Sequence, residues 1–185
     1  MKISLIISTY NSPGMLRLCM MSVAKQIVMP NEVIIADDGS TEETKELIEE
    51  FTKILSCTVK HAWQEDRGFR LAESRNNALR MCEGDYVVFV DGDIIMERHF
   101  IKDHKKLAEK GYFVMGSRSK LKSDISQHLI KHKSIQRHWY SHGVKSRFNS
   151  LYMPWLSFYT KNMYKERPRK GRGANMAMFM SDLIA

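Results

Sequence analysis

The sequence predicts an α/β domain built on a mostly parallel sheet flanked by helices. Short apolar segments alternate with amphipathic ones four times between Lys2 and Lys102. The apolar segments are nearly continuous, as in Val33-Ile34-Ile35-Ala36 and Tyr86-Val87-Val88-Phe89-Val90, and such runs suit strands covered on both faces. With 185 residues, 43% of them hydrophobic, the chain is sized for one domain with an ordinary core.

Residues 2–7 read as a short buried strand, followed by the polar turn Ser8-Thr9-Tyr10-Asn11. A helix then opens with Ser12 as N-cap and Pro13 in the first helical position. Leu16, Cys19, Met20, Val23 and Ile27 recur on it at helical spacing, and Pro30 stops the segment. The second unit begins with residues 33–36 as a strand and turns at Asp37-Asp38-Gly39-Ser40. Ser40 and Glu43 have capping-box spacing, and Leu47, Ile48, Phe51, Ile54 and Leu55 supply an apolar helix face. A third strand is predicted over residues 58–63, a third helix over 71–82 and a fourth strand over 85–90. Beyond these come a helix to Lys110 and a strand near residues 112–115. A basic, aromatic region without clear periodicity then extends to Asn175-Met176-Ala177-Met178-Phe179.

Charge divides the chain in two. Residues 1–117 carry 15 Lys and Arg against 18 Asp and Glu, whereas residues 118–173 carry 14 against 2, so the net charge of +8 belongs to the second part. We therefore expect a ligand-binding subdomain over 1–117 and a basic, aromatic segment over 118–185. No apolar run approaches the roughly 18 residues that span a bilayer, and no secretory signal follows Met1. Cys19, Cys57 and Cys82 are odd in number, widely spaced and without a Cys-x-x-Cys pair, which predicts buried free thiols in a reducing, cytoplasmic setting.

In a sheet of this kind the ligand crevice lies outside the carboxyl ends of the strands. Asp91 and Asp93 sit at such an end, on either side of Gly92, which is expected to let the backbone turn sharply. Two hard oxygen ligands there suit Mg²⁺ or Mn²⁺, with water and substrate phosphates completing the shell. The bland alternative is an ordinary Asp-Gly turn. Asp38 is placed on the same edge to accept a hydrogen bond from a base N–H or a ribose hydroxyl. Ser8 and Tyr10 end the first strand there, with Tyr10 available to stack on a base. Arg67, Arg70 and Arg75 are candidates for phosphate, while Arg75 is equally placed to bridge a carboxylate such as Asp38.

Five ordered segments resemble family 2 glycosyltransferases: Ile7-Ser-Thr-Tyr-Asn11, Ala36-Asp-Asp-Gly-Ser40, Gln64-Glu-Asp-Arg-Gly-Phe-Arg70, Ser74-Arg-Asn76 and Val90-Asp-Gly-Asp93. Gly173-Ala-Asn-Met-Ala-Met-Phe179 is similar to the acceptor-side segment of members with a galactosyltransferase-type C-terminal region, such as bacterial chondroitin polymerase-like enzymes. The resemblance implies the GT-A fold, a UDP-sugar donor and Mn²⁺ or Mg²⁺. It also implies inverting transfer to a glycan or glycolipid acceptor in cell-surface polysaccharide synthesis. By it, Ser8, Tyr10 and Asp38 bind the nucleoside, Asp66 and Arg75 support the nucleotide pocket, Asp91 meets ribose or metal-bound water, and Asp93 ligates the metal.

Inversion requires a carboxylate to take the acceptor proton. Relatives place it in an acidic motif shortly after the Asn-Met-Ala-Phe-like segment, whereas here the acids after Glu109 are Asp124, Glu166 and Asp182, none in a matching motif. The expectation is that the base lies beyond Ala185, in a chain truncated so that donor binding survives and transfer does not.

Lesser readings remain. His128 with His132, and His138 with His142, have helical spacing for a zinc site but no neighbouring acid or cysteine. The basic segment is interleaved with Trp139, Tyr140, Phe148, Tyr152, Trp155, Phe158 and Tyr159. It suits first a solvated face, then an anionic glycan or the inner face of the cytoplasmic membrane, and nucleic acid last. A non-catalytic nucleotide-sugar or glycan-binding domain of the same fold is the alternative to a transferase. A nucleotidylyltransferase is disfavoured, because no Gly-rich phosphate loop with a following Lys stands near the N-terminus.

Overall fold

The computed structural model describes residues 1–135, 144–145 and 174–183, with backbone alone for 144–145. Strands β1 (Ile3–Thr9), β2 (Glu32–Asp37), β3 (Thr58–Trp63) and β4 (Tyr86–Asp91) alternate with helices α1 (Pro13–Ala24), α2 (Glu42–Ile54) and α3 (Leu71–Arg80). There follow α4 (Phe100–Leu107), β5 (Val114–Met115), β6 (Lys120–Leu121), α5 (Ser123–Lys131), β7 (Val144–Lys145), β8 (Asn175–Phe179) and a single turn of helix, α6 (Met180–Leu183). The main sheet has the order β3-β2-β1-β4-β8-β5, and β6 pairs with β7 in a separate ribbon.

β1, β2, β3 and β4 run parallel, in a register that sets Ser8 beside Asp91 and Thr9 beside Asp37. β1 and β2 are buried at every position, which explains why their sequences do not alternate. One face of the sheet, with Leu5, Ile7, Val33, Ile35 and Val88, packs on Leu16, Met20 and Val23 of α1 and on Leu47 and Phe51 of α2. The opposite face, with Ile6, Ile34, Val87 and Phe89, packs on Ala78 of α3. Each fully buried Leu, Ile, Val or Phe in these layers contributes about 1.5–3 kcal/mol, so the two cores hold the strand ends in fixed relative positions.

β8 enters from the far part of the chain and runs antiparallel between β4 and β5. Its first residue, Asn175, is therefore paired with Val90, directly before Asp91. α5 packs on α1 through Ile125, Leu129 and Leu18.

Local expectations are corrected at five points. Ser40 does not cap α2: Thr41 holds the N-cap position without a side-chain bond, and the Ser40 hydroxyl instead accepts from the Asn11 amide at 2.9 Å. Ser12 does sit at the N-cap of α1, but its hydroxyl makes no capping bond. The helix ends at Ala24, which leaves Ile27 half exposed rather than on a buried face. α3 ends at Arg80, two residues before Cys82. All three thiols are free, but only Cys19 is buried, Cys57 and Cys82 being partly exposed. No helix among the described residues is long and apolar enough to cross a membrane.

Candidate functional site

The carboxyl ends of β1, β2 and β4 bring Ser8, Asp37, Asp38 and Asp91 to one edge of the sheet. Arg75 projects toward it from α3, its guanidinium 5.8 Å from the centre of the Phe89 ring. Arg75 Nε donates to Ser8 Oγ at 2.9 Å and Nη2 to Asp91 Oδ1 at 2.8 Å. Arg118 adds a longer contact, 3.9 Å to Asp91 Oδ2. Asp91 is thus oriented by two cations and by its strand. Among the described residues Arg75 bridges Asp91, not Asp38: α3 packs across β2, β1 and β3, and its Arg75 side chain extends past Ser8 at the end of β1 to Asp91 at the end of β4.

After Asp91 the backbone folds in a tight turn closed by the Ile94 amide on the Asp91 carbonyl at 3.1 Å. Gly92 is needed here for close approach rather than for a left-handed conformation, since its φ is not positive. Its amide donates to the Ser8 carbonyl at 2.8 Å, and a Cβ would stand only 2.8 Å from that same oxygen. Asp93 follows on the exposed side of the turn.

Asp38 is held from two directions. Gln64 Nε2 donates to Oδ1 at 2.6 Å and the Arg70 amide to Oδ2 at 2.7 Å, with Gln64 itself fixed by Asn77 at 2.9 Å. Asp37 turns the other way: it accepts from the Ser40 amide at 2.9 Å and lies 2.8 Å from His61 Nε2. Burial works against its ionisation, but the hydrogen bonds from His61 and Ser40 outweigh that and hold its carboxyl below the ordinary aspartate value. Ionised Asp37 only accepts, so His61 Nε2 carries the proton between them.

The Tyr10 phenol donates to Asp66 Oδ2 at 2.8 Å, which raises the phenol's pKa. Asp66 also accepts from the Gly68 amide at 3.0 Å. The Gly68 bond first and the Tyr10 bond second draw its carboxyl below the ordinary value. Gly39 adopts φ +98 where this loop meets the turn of β2, and a Cβ on it would lie 2.6 Å from the Asp66 backbone. Asp38, Tyr10 and Asp66 therefore belong to one interlocked group of turns.

The other arginines are placed differently. Arg67 pairs with Glu65 on the surface, and Arg70 pairs with Glu73 and the Glu65 carbonyl. His128 and His132 stack at 4.0 Å between ring centroids, and among the described residues no three His, Cys, Asp or Glu side chains converge as a metal site. His138, His142, Gly173 and the aromatic residues from Trp139 to Tyr159 lie outside the described residues.

His61 and His104 were not singled out by sequence, and Gln64 stood in a family-like segment without an assigned role. Gln64 and His61 stand in or beside the third strand, where a polar residue facing a covered sheet is the available signal. His104 is 5% exposed on the inner side of α4, with Nε2 3.1 Å from Asn175 Oδ1. It anchors the start of β8 beside Asp91, and burial draws its pKa from 6.5 down to about 4. The folded state thus excludes a proton that the unfolded chain binds. Stability is full above pH 6.5 and is lost as pH falls toward 4, by about 2 kcal/mol between pH 7 and pH 5. Urea midpoints at these two pH values are expected to show that loss in the native chain and a clearly smaller one in His104→Gln. Equal losses in both would refute the assignment.

The model of the family described as "Glycosyl transferase family 2" matches residues 4–180. The chain belongs to that family. Similar members include the glycosyltransferase GlyA of Streptococcus pneumoniae, 33% identical over 58% of this chain and 15% of its own length. The chondroitin synthase of Escherichia coli is 32% identical over 57% of this chain and 15% of its own. The poly(ribitol-phosphate) beta-N-acetylglucosaminyltransferase TarS of Staphylococcus aureus is 34% identical over 56% and 18%. The matched part is thus a small fraction of each relative. Among solved structures, TarS residues 1–349 in complex with UDP-GlcNAc superpose with a TM-score of 0.51 at 34% identity, covering 58% of this chain and 31% of that one. The mannosyltransferase PcManGT of Pyrobaculum calidifontis, in complex with GDP-Man and Mn²⁺, gives 0.53 at 25% identity, covering 63% and 35%. This family 2 chain therefore has the α/β core of GT-A glycosyltransferases.

Proposed function

We propose that this family 2 domain binds a UDP-sugar at the carboxyl edge of its sheet, together with Mn²⁺ or Mg²⁺, for transfer with inversion to a glycan or glycolipid acceptor in cell-surface polysaccharide synthesis. The observation that carries the reading is the arrangement after β4. Asp91 is braced by Arg75, which is itself held by Ser8, while the exposed Asp93 carboxylate two residues on has no hydrogen bond or ion pair among the described residues. One acid is positioned and the other is unspent.

That donor set fits a divalent cation: hard carboxylate oxygens at an open strand end, with room for water and diphosphate in the remaining positions. A bound cation there supplies positive charge against the departing diphosphate. The chain's own residues do the rest. Asp93 ligates directly, and Asp91, charge-balanced by Arg75, takes ribose or a metal-bound water. Ser8 and Asp38 receive nucleoside hydrogen bonds, Asp38 through lone pairs left over by Gln64 and Arg70. Tyr10, half exposed at 52% and fixed through its phenol to Asp66, presents its ring to the base. UDP-GlcNAc bound to TarS supports the donor class, and Mn²⁺ bound with GDP-Man to PcManGT supports the metal.

Isothermal titration with UDP tests this. Heat of binding is expected with Mn²⁺ present and is expected to fall to background when the metal is chelated. No binding by the folded chain under either condition removes the donor assignment.

A further inference from the structure

An open pocket lies beside the turn that follows β2. It has a volume of about 410 Å³ and is lined by Ser40, Thr41, Glu42, Lys45, His61 and Trp63. From these contacts we infer that it is a carbohydrate subsite, in which one pyranose ring of a glycan stacks on the Trp63 indole. The inference adds to the donor reading and draws on none of the residues assigned to nucleotide or metal.

The indole is the central feature. Trp63 ends the edge strand β3 and is 54% exposed. Its one polar atom is already satisfied, Nε1 donating to the Ser40 carbonyl at 3.1 Å. The exposed remainder is thus an apolar π face held in a set orientation, with an apolar partner as its complement. Around it stand polar groups suited to neutral hydroxyls. His61 Nε2 is engaged by Asp37, leaving Nδ1 as the ring's other hydrogen-bonding atom. The Thr41 hydroxyl makes no capping bond. The Lys45 ammonium is balanced by Glu42 at 2.7 Å.

That combination discriminates between ligand classes. A pair-neutralised lysine gives no net attraction for phosphate. An aromatic plate ringed by neutral donors and acceptors matches a pyranose, which has an apolar C–H face and a rim of hydroxyls. The volume falls within the about 300–1,000 Å³ of small-ligand pockets. Because β3 pairs only with β2 among the described residues, the pocket opens past the sheet edge, and a longer glycan can continue outward from the bound ring.

Saturation-transfer NMR of the intact chain with cellotriose, a β-linked glucose trisaccharide, tests the proposal. Transfer is expected to be strongest to the axial hydrogens on one ring face, to persist in Trp63→Phe and in Asp93→Ala, to weaken in Lys45→Ala and to vanish in Trp63→Ala. Excess UDP is expected to leave it in place. No transfer to the native chain overturns the subsite, as does transfer equal in native, Lys45→Ala and Trp63→Ala chains. Displacement of the sugar by UDP also overturns it, because the pocket is then part of the donor site. Lys45 lies on the exposed surface of α2, so its variant remains informative even if Trp63→Ala unfolds. Loss of UDP binding in Asp93→Ala with cellotriose transfer intact separates this test from that of the donor reading.

Discussion

Asp93→Ala is expected to weaken UDP at least about tenfold in the presence of Mn²⁺, about 1.4 kcal/mol, and to make the residual binding indifferent to the metal. Stability should hardly change. Asp93 is exposed and makes no hydrogen bond or ion pair among the described residues, and truncation of such a side chain typically stays within about 0.5 kcal/mol. Asp91 is a harder position to interpret, since Asp91→Ala removes one acceptor of Arg75 and with it the ion pair of a partly buried guanidinium. Titration calorimetry paired with urea unfolding checks the contrast. A variant that binds UDP as the native chain does, still metal-dependently, places the metal elsewhere.

Gly39→Ala is expected to have the largest effect on the fold of the site. The residue has φ +98, a region that L side chains rarely adopt, and its added Cβ would lie 2.6 Å from the N, Cα and Cβ atoms of Asp66. Backbone cannot swing aside as a flexible side chain does, so the β2 turn must part from the loop carrying Asp66. The expected cost is about 2–4 kcal/mol, or a melting temperature roughly 4–16 °C lower for a chain of this size. Parting these turns also separates Asp38 from Gln64 and Arg70, so UDP binding should weaken as well. Melting and UDP titration of the variant check both effects, and values matching the native chain in both would show that the junction is not constrained as described.

The sequence made the parallel strands legible because burial on both faces leaves continuous apolar runs at residues 33–36 and 86–90. It made the carboxylates at their ends legible because polar residues that terminate such runs lie at the ligand edge. The direction of β8 was not legible. Asn-Met-Ala-Met-Phe reads as a strand in either sense, and its antiparallel pairing with β4 depends on where a long preceding segment delivers it. Side-chain pairings were equally hidden. Whether Arg75 reaches Asp38 or Asp91 is decided by how α3 is rotated over the sheet, and that follows from packing of Ala78 against Ile6, Ile34 and Phe89. Ser40 had the spacing of a cap, but the left-handed Gly39 before it turns its amide to Asp37, its hydroxyl to Asn11 and its carbonyl to Trp63. His104 was overlooked because a histidine on an amphipathic helix gives no sign of burial until the strand that covers it is placed.

On the proposed function, the nucleotide and the metal share the edge formed by β1, β2 and β4. Paramagnetic broadening of backbone amide signals by Mn²⁺ measures this directly. Broadening is expected to centre on the amides of Gly92, Asp93 and Ile94 and to reach Ser8 and Tyr10, to strengthen with UDP and to be absent in Asp93→Ala. Broadening that ignores UDP, or that centres instead on His128 and His132, would contradict the proposed function.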